Sequence, residues 1–191
     1  MNEIKRYDRI WRGLHWGMAL AIVVLLVLIE VKGDLPKGPL KGLLTDIHKQ
    51  LGILVFGLVW WRLVWRLRHR APPVTPTPSR WMVGLSHGAH GLLYLAMIGI
   101  PALGVLFQQA RGNAVVFLGW TLPWILNDDT GISYAKPLKE LHETLGNALI
   151  WLIVLHGVAA FYHHWIRRDD TLLRMVGKPS VAPADFVVEQ R

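Results

Sequence analysis

Three long stretches of this chain carry no charged side chain: residues 13–29, 81–110 and 144–166 contain no Asp, Glu, Lys or Arg. A helix needs roughly 20 apolar residues, rising about 1.5 Å each, to cross about 30 Å of hydrocarbon. Each stretch is of that order and is expected to cross a membrane. A fourth candidate runs from His48 to Trp65, where Lys49, Gln50 and Arg62 lie near the ends and can snorkel toward the interfaces. Composition agrees, because 52% of the 191 residues are hydrophobic and 18% are charged, against about a quarter charged in soluble domains. Ten Trp and the many aliphatic residues equally exclude a disordered chain. The expected fold is an all-α integral membrane protein, a four-helix transmembrane bundle with spans at about 11–31, 47–67, 84–107 and 138–166. These form one domain over 1–179, followed by a loose tail over 180–191.

A net charge of +8 could suggest nucleic acid, but the cations sit at the ends of the spans, which excludes that reading. Fourteen Lys and Arg belong to the N-terminus, the second connection and the C-terminal segment, and seven to the other two connections. The positive-inside rule then places both termini in the cytoplasm. The first apolar run is too long, and too poor in a small-residue cleavage site, for a removed signal peptide, so it is kept as the first helix. Residues 71–80 (APPVTPTPSR) form a Pro-rich cytoplasmic linker between two helical hairpins. The third connection, from Gln108 to Pro137, is long enough to form a periplasmic cap, with Trp120 and Trp124 at headgroup depth.

With no Cys, the chain has no disulfide, thiolate metal site or thioether-linked haem, and histidine carries the chemistry. An ionisable residue inside a span is costly and is read as functional. His142 and His156 are fourteen residues apart, which places them on one helix face within roughly 40° and about 21 Å apart along the axis. One helix therefore offers two ligands at two depths. By direction of travel through the membrane, His48 matches the depth of His142, and His15 that of His156. Two bis-histidine haems stacked across the bilayer satisfy all four. His87 and His90 are alternative inner ligands in place of His15. Gly52 and Gly146 each follow a candidate ligand by four residues, while Gly13, Gly17 and Gly157 flank the inner pair; they leave room for a macrocycle, or serve ordinary helix packing. His163 and His164, two turns beyond His156, either touch headgroups or contact a quinone and donate a proton to it. Arg9, Arg12, Arg62 and Arg66 contact lipid phosphate or haem propionates. His69, among arginines, is expected on the surface.

The His15-Trp16 entry to the first span, Ile47-His48 with Gly52, His142-Glu143-Thr144-Leu145 with His156, His163-His164, and Thr171-Leu172-Leu173-Arg174-Met175 resemble the bacterial cytochrome b561 family. The resemblance covers nearly the whole chain and is greatest to the small stand-alone members. It implies a bacterial inner-membrane protein with two haems b on His15, His48, His142 and His156, oxidising periplasmic superoxide and reducing ubiquinone to quinol. An iron with two His ligands has no open position for oxygen, so outer-sphere electron transfer is expected. Superoxide gives one electron and quinone takes two, which a pair of haems reconciles. Lys41, Lys49 and Lys139 are the candidates for steering the anion, on an outer face that is nearly neutral overall. His163 is the candidate proton donor to quinone on the inner side. Two alternatives stand beside this: a haem b subunit passing electrons to quinone from a periplasmic partner dehydrogenase or hydrogenase docked at the long outer loop, and a haem-free scaffold or transporter whose histidines only pack.

Overall fold

The computed structural model of the protein describes residues 6–126 and 128–177; the tail expected over 180–191 lies outside the described residues. Helix α1 (Arg9–Asp34) starts where it does because the Asp8 carboxylate accepts from the Trp11 backbone N–H at 2.7 Å, satisfying one of the unpaired donors of the first turn. Helix α2 (Pro39–Arg68) opens on a proline, whose missing N–H costs nothing there. Helix α3 (Arg80–Ala110) follows the Pro-rich linker, and α4 (Asp128–Tyr162) runs into a single π-helical turn (His163–Arg167) and a short helix α5 (Thr171–Val176). Among the described residues, Arg9–Asp34, Pro39–Arg68, Arg80–Ala110 and Ser133–Arg167 are long and apolar enough to cross a membrane. Among the described residues the fold is thus all-helical apart from one small hairpin, as a multi-pass protein requires.

Lipid is the solvent that this surface fits. Leu20, Leu92, Leu95, Trp151 and Leu155 all point outward from the bundle, each more than half exposed. Such a belt would be costly in water and is free in hydrocarbon. Inside, Met18 and Ile22 of α1, Val55 and Val59 of α2, Met97 and Ile100 of α3, and Leu149 of α4 form one packed core.

At one end of the bundle, the hairpin end, strands β1 (Val116–Phe117) and β2 (Trp120–Thr121) pair antiparallel, with Val116 opposite Thr121 and Phe117 opposite Trp120. Leu118 and Gly119 both have positive φ, as a tight two-residue hairpin requires. Two glutamines hold this cap from below. Gln50 donates to the Val116 carbonyl at 2.7 Å and accepts from the Leu118 N–H at 3.1 Å. The almost fully buried Gln109 donates to the Pro123 carbonyl at 2.8 Å and accepts from the Ile125 N–H at 3.0 Å. The connection is shorter than the run from Gln108 to Pro137 suggests. Helix α4 begins at Asp128 and passes through Pro137, giving up one rung of its ladder there instead of stopping.

At the other end, the linker end, α5 ties several segments together. Its final carbonyls accept side-chain hydrogen bonds: Met175 from Trp16 at 3.1 Å, Val176 from Arg12 at 3.3 Å, and Gly177 from Arg6 at 3.2 Å. The Asp170 carboxylate accepts from the Thr75 N–H, while the Asp170 N–H donates to the Thr75 carbonyl, at 3.0 and 3.1 Å. Arg174 pairs with Asp170 at 3.3 Å, donates to the Pro72 carbonyl and covers the Tyr7 ring. Gly177 adopts positive φ, a backbone conformation that other residues enter only with strain.

Candidate functional site

Histidines from different helices meet in two places. Nearer the hairpin end, His48 of α2 faces His142 of α4 with ring centroids 6.3 Å apart and planes crossed at 76°. Nearer the linker end, His15 of α1 faces His156 of α4 at 6.2 Å and 75°. On α4, Leu149 of the packed core lies between His142 and His156 in sequence.

The hairpin-end pair is oriented by backbone. His48 Nδ1 donates to the Leu25 carbonyl of α1 at 3.3 Å, and His142 Nδ1 donates to the Ile100 carbonyl of α3 at 2.8 Å. A carbonyl can only accept, so each ring carries its proton on Nδ1 and keeps Nε2 as a lone pair. Gly104 makes this possible, because a Cβ at that position would come within 3.2 Å of His142 Cε1. A cavity of about 540 Å³ opens beside the pair, bounded by His48, Gly52, Gly104, Phe107, His142 and Gly146 among others. That is within the range of roughly 300–1,000 Å³ usual for cofactor sites. Nothing lies within 4 Å of where a Cβ would stand on Gly52 or Gly146.

The linker-end pair is more polar. His15 Nδ1 is buried without a hydrogen-bond partner, as are the Nε atoms of Arg12 and Arg62, and Arg62 acts electrostatically on both His15 and His156. Gly13, Gly17 and Gly157 again face open space. His90 enters this cluster, its ring 5.4 Å from His156 and its Nδ1 donating to the Ser86 carbonyl at 2.6 Å. His87 is exposed on α3, and His69 stacks on Trp65 at 4.1 Å.

The expected lysines do not behave alike. Lys49 and Lys139 reach the mouth of the cavity but have acidic neighbours, Asp46 at 3.4 Å and Glu143 at 2.6 Å. Lys41 is outside the lining and donates to the Leu35 carbonyl at 2.8 Å. Lys32, not anticipated, also lines the mouth, within electrostatic reach of Lys41, Lys49 and Lys139. Gly104 was likewise missed. Its signal was a small residue on α3 at the depth of His142, but α3 offered no ligand to align it with. His163 lies on the π turn, hydrogen-bonded through Nδ1 to Asp169 at 2.5 Å.

The sequence matches the family described as prokaryotic cytochrome b561 over residues 6–178. The chain belongs to the prokaryotic cytochrome b561 family. It is 33% identical over 174 residues to a protein of Yersinia pestis named probable superoxide oxidase CybB, covering 91% of this chain and 97% of that one. Cytochrome b561 homolog 1 of Escherichia coli (strain K12) is 31% identical over 174 residues, 91% of this chain and 98% of that one. Homolog 2 of the same organism is 32% identical over 188 residues, covering 94% and 95%.

Membership implies electron transfer on b-type haem, and the residues present fit that group. Metal–imidazole bonds are about 2 Å long and the ring centre lies roughly 1 Å behind its nitrogen, so two imidazoles across one iron have centroids about 6 Å apart. Both pairs meet that condition, at 6.2 and 6.3 Å. Two imidazoles leave four coordination positions for a macrocycle, and the unpartnered guanidinium Nε atoms of Arg12 and Arg62 suit its carboxylates.

Proposed function

We propose that this cytochrome b561 binds two haems b, one between His48 and His142 and one between His15 and His156, and carries electrons from superoxide at the hairpin end to ubiquinone at the linker end. The observation that carries this reading is the equal separation of two histidine pairs at two depths of one bundle. Bound there, each haem supplies an iron that changes oxidation state by one electron with no open position for oxygen.

The chain's own residues do the rest. The Leu25 and Ile100 carbonyls fix the rings of His48 and His142 and make Nε2 the ligating atom. Arg12 and Arg62, with unpartnered Nε atoms beside the linker-end pair, would hold the carboxylates of a haem bound there. His90, 5.4 Å from His156 against 6.2 Å for His15, is read as a neighbour of the inner site, with His15 kept as the ligand. Gly52 and Gly146 leave space for the outer macrocycle. Lys32, Lys49 and Lys139 draw an anion to the mouth of the outer cavity, weakened by Glu143 and Asp46. At the linker end His163 gives a proton to quinone. The arginines of the N-terminus, α2 and the π turn support a cytoplasmic linker end, with both termini on that side of a bacterial inner membrane and residues 1–179 as one unit. The name of the 33% identical relative supports superoxide as donor.

A second reading has its own observation. The hairpin end exposes Leu118 at 75%, Trp120 at 81% and Ile125 at 67%, an apolar tip that suits docking of a periplasmic donor protein as well as headgroups. Stopped-flow absorbance on the purified full chain separates the two. Superoxide is expected to reduce the haem and a short-chain ubiquinone to reoxidise it; haem inert to superoxide transfers the donor role to a partner protein. In the same preparation His142→Ala and His156→Ala should each lower bound haem from two to one per chain, and two haems retained in either variant sinks the assignment of that ligand.

A further inference from the structure

At His163 helix α4 loosens into a π turn, and single π turns recur at functional sites. The turn is closed by the Asp169 N–H donating to the His163 carbonyl at 3.1 Å, with Arg168 in the left-handed region. The chain thereby folds back so that the Asp169 carboxylate lies against the imidazole, Oδ2 to Nδ1 at 2.5 Å. Its other oxygen accepts from the Thr171 N–H at 3.0 Å. The Asp169 side chain has no exposure and that of His163 is 20% exposed, so the carboxylate stands behind and the imidazole in front. An exposed ion pair of this kind would be worth little; this one is built in by backbone on both sides.

The surrounding charges leave His163 to Asp169. Asp170 and Arg174 are occupied with each other at 3.3 Å and with the linker backbone, and Arg174 covers Tyr7. Tyr162 presents its ring 6.1 Å from that of His163, and Arg167 and Arg168 belong to the same turn. Burial pushes the Asp169 carboxyl up, and its hydrogen bonds with His163 and Thr171 outweigh this and hold it below the ordinary carboxylate range. It is therefore an anion at neutral pH.

We propose that Asp169 is the positioning residue of His163, fixing the ring with Nδ1–H on the carboxylate and leaving Nε2 as the atom that passes a proton to a quinone at the linker end. This rests on the quinone site proposed above. A carboxylate at Nδ1 sets the tautomer and stabilises the imidazolium that carries the second proton on Nε2. In the transfer the Nε2–H bond breaks, its electron pair stays on nitrogen, an O–H bond forms on the quinone oxygen, and the ring goes from cation to neutral. The quinone's two electrons come from the chain's electron transfer, and its second proton from water at the linker end. Asp169 stays ionised throughout.

The test compares reoxidation of the reduced full-length holoprotein by a short-chain ubiquinone and by ferricyanide, a one-electron oxidant that takes no proton. Asp169→Asn is expected to slow the quinone reaction about tenfold or more, within the range typical of general acid catalysis, and to leave the ferricyanide reaction unchanged. Asp169→Glu, which keeps the carboxylate, should restore most of the rate. Equal quinone rates in Asp169→Asn and wild type overturn the proposal, as does equal slowing with both oxidants, which marks a structural role. A wild type that ferricyanide reoxidises and ubiquinone does not refutes the quinone site itself, and this proposal with it. Should Asp169→Asn fail to fold, the nitrogen-15 NMR spectrum of histidine-labelled wild type decides: a neutral His163 protonated on Nδ1 supports the proposal, and one protonated on Nε2 overturns it.

Discussion

Gly104 is where α3 and α4 come close enough for a single methyl to matter. A Cβ there would sit 3.2 Å from Cε1 and 3.4 Å from Nδ1 of His142, and the two branches of a valine would push the ring off the Ile100 carbonyl. Gly104→Val is therefore expected to lose the outer haem, about half of the bound haem under the proposed stoichiometry, while helix content stays at the wild-type level; haem quantification and circular dichroism check this. Asp169 gives a second prediction at this scale. Its folded-state pKa lies below the unfolded value, so its stabilisation is present above the ordinary carboxylate range and is lost as pH falls through the folded-state value. Melting curves over about pH 3 to 7 should show wild type above Asp169→Asn at the neutral end and the gap closing toward the acid end.

These residues also mark the limit of what the sequence shows. The meeting of His15 with His156 and of His48 with His142 follows from helical rise and from the alternating direction of the helices. The acceptors that orient the rings are carbonyls of Leu25 and Ile100 on other helices, and a backbone carbonyl has no residue type to recognise. Asp169 sits in a charged stretch that reads as surface; only the π turn folds it under His163.

Among the elements, α5 does more than its six residues suggest. Asp170 bridges it to the linker through both its side chain and its N–H, and it neutralises Arg174, whose side chain is only 4% exposed. Removing one partner of a buried pair leaves an uncompensated charge and typically costs about 3–5 kcal/mol. Asp170→Ala should thus lower stability by that order and expose the linker at 71–80 to rapid amide exchange, leaving exchange in the 116–121 hairpin unchanged; hydrogen exchange read by mass spectrometry tests both halves. Three of the four long helices were legible because charge-free runs of membrane length have few other uses, and α2 because its charged residues lie near the ends of an apolar run. The start of α4 was not, since Pro137 reads as a boundary, and a helix buttressed by neighbours can absorb one proline. The hairpin escaped notice for a related reason: its strands are two residues each, and the Gln50 side chain stands in for a partner strand beside Val116 and Leu118.

Across the whole molecule, the two ends differ in how they are held. The hairpin end is capped by amide hydrogen bonds from two glutamines, and the linker end by a buried ion pair and a fan of arginine and tryptophan donors. Between them the core of Met18, Ile22, Val55, Val59, Met97, Ile100 and Leu149 contains no polar side chain, and Val59 is completely buried. A file of water needs hydrogen-bonding partners along its path, and these seven side chains offer none. The protein is for that reason expected to insulate against ions while it transfers electrons. Proteoliposomes carrying it should hold a pH gradient as long as empty ones do, and Val59→Asp should let the gradient decay faster. A cell can consequently keep such a protein in its energised membrane without discharging the proton-motive force that the membrane exists to store.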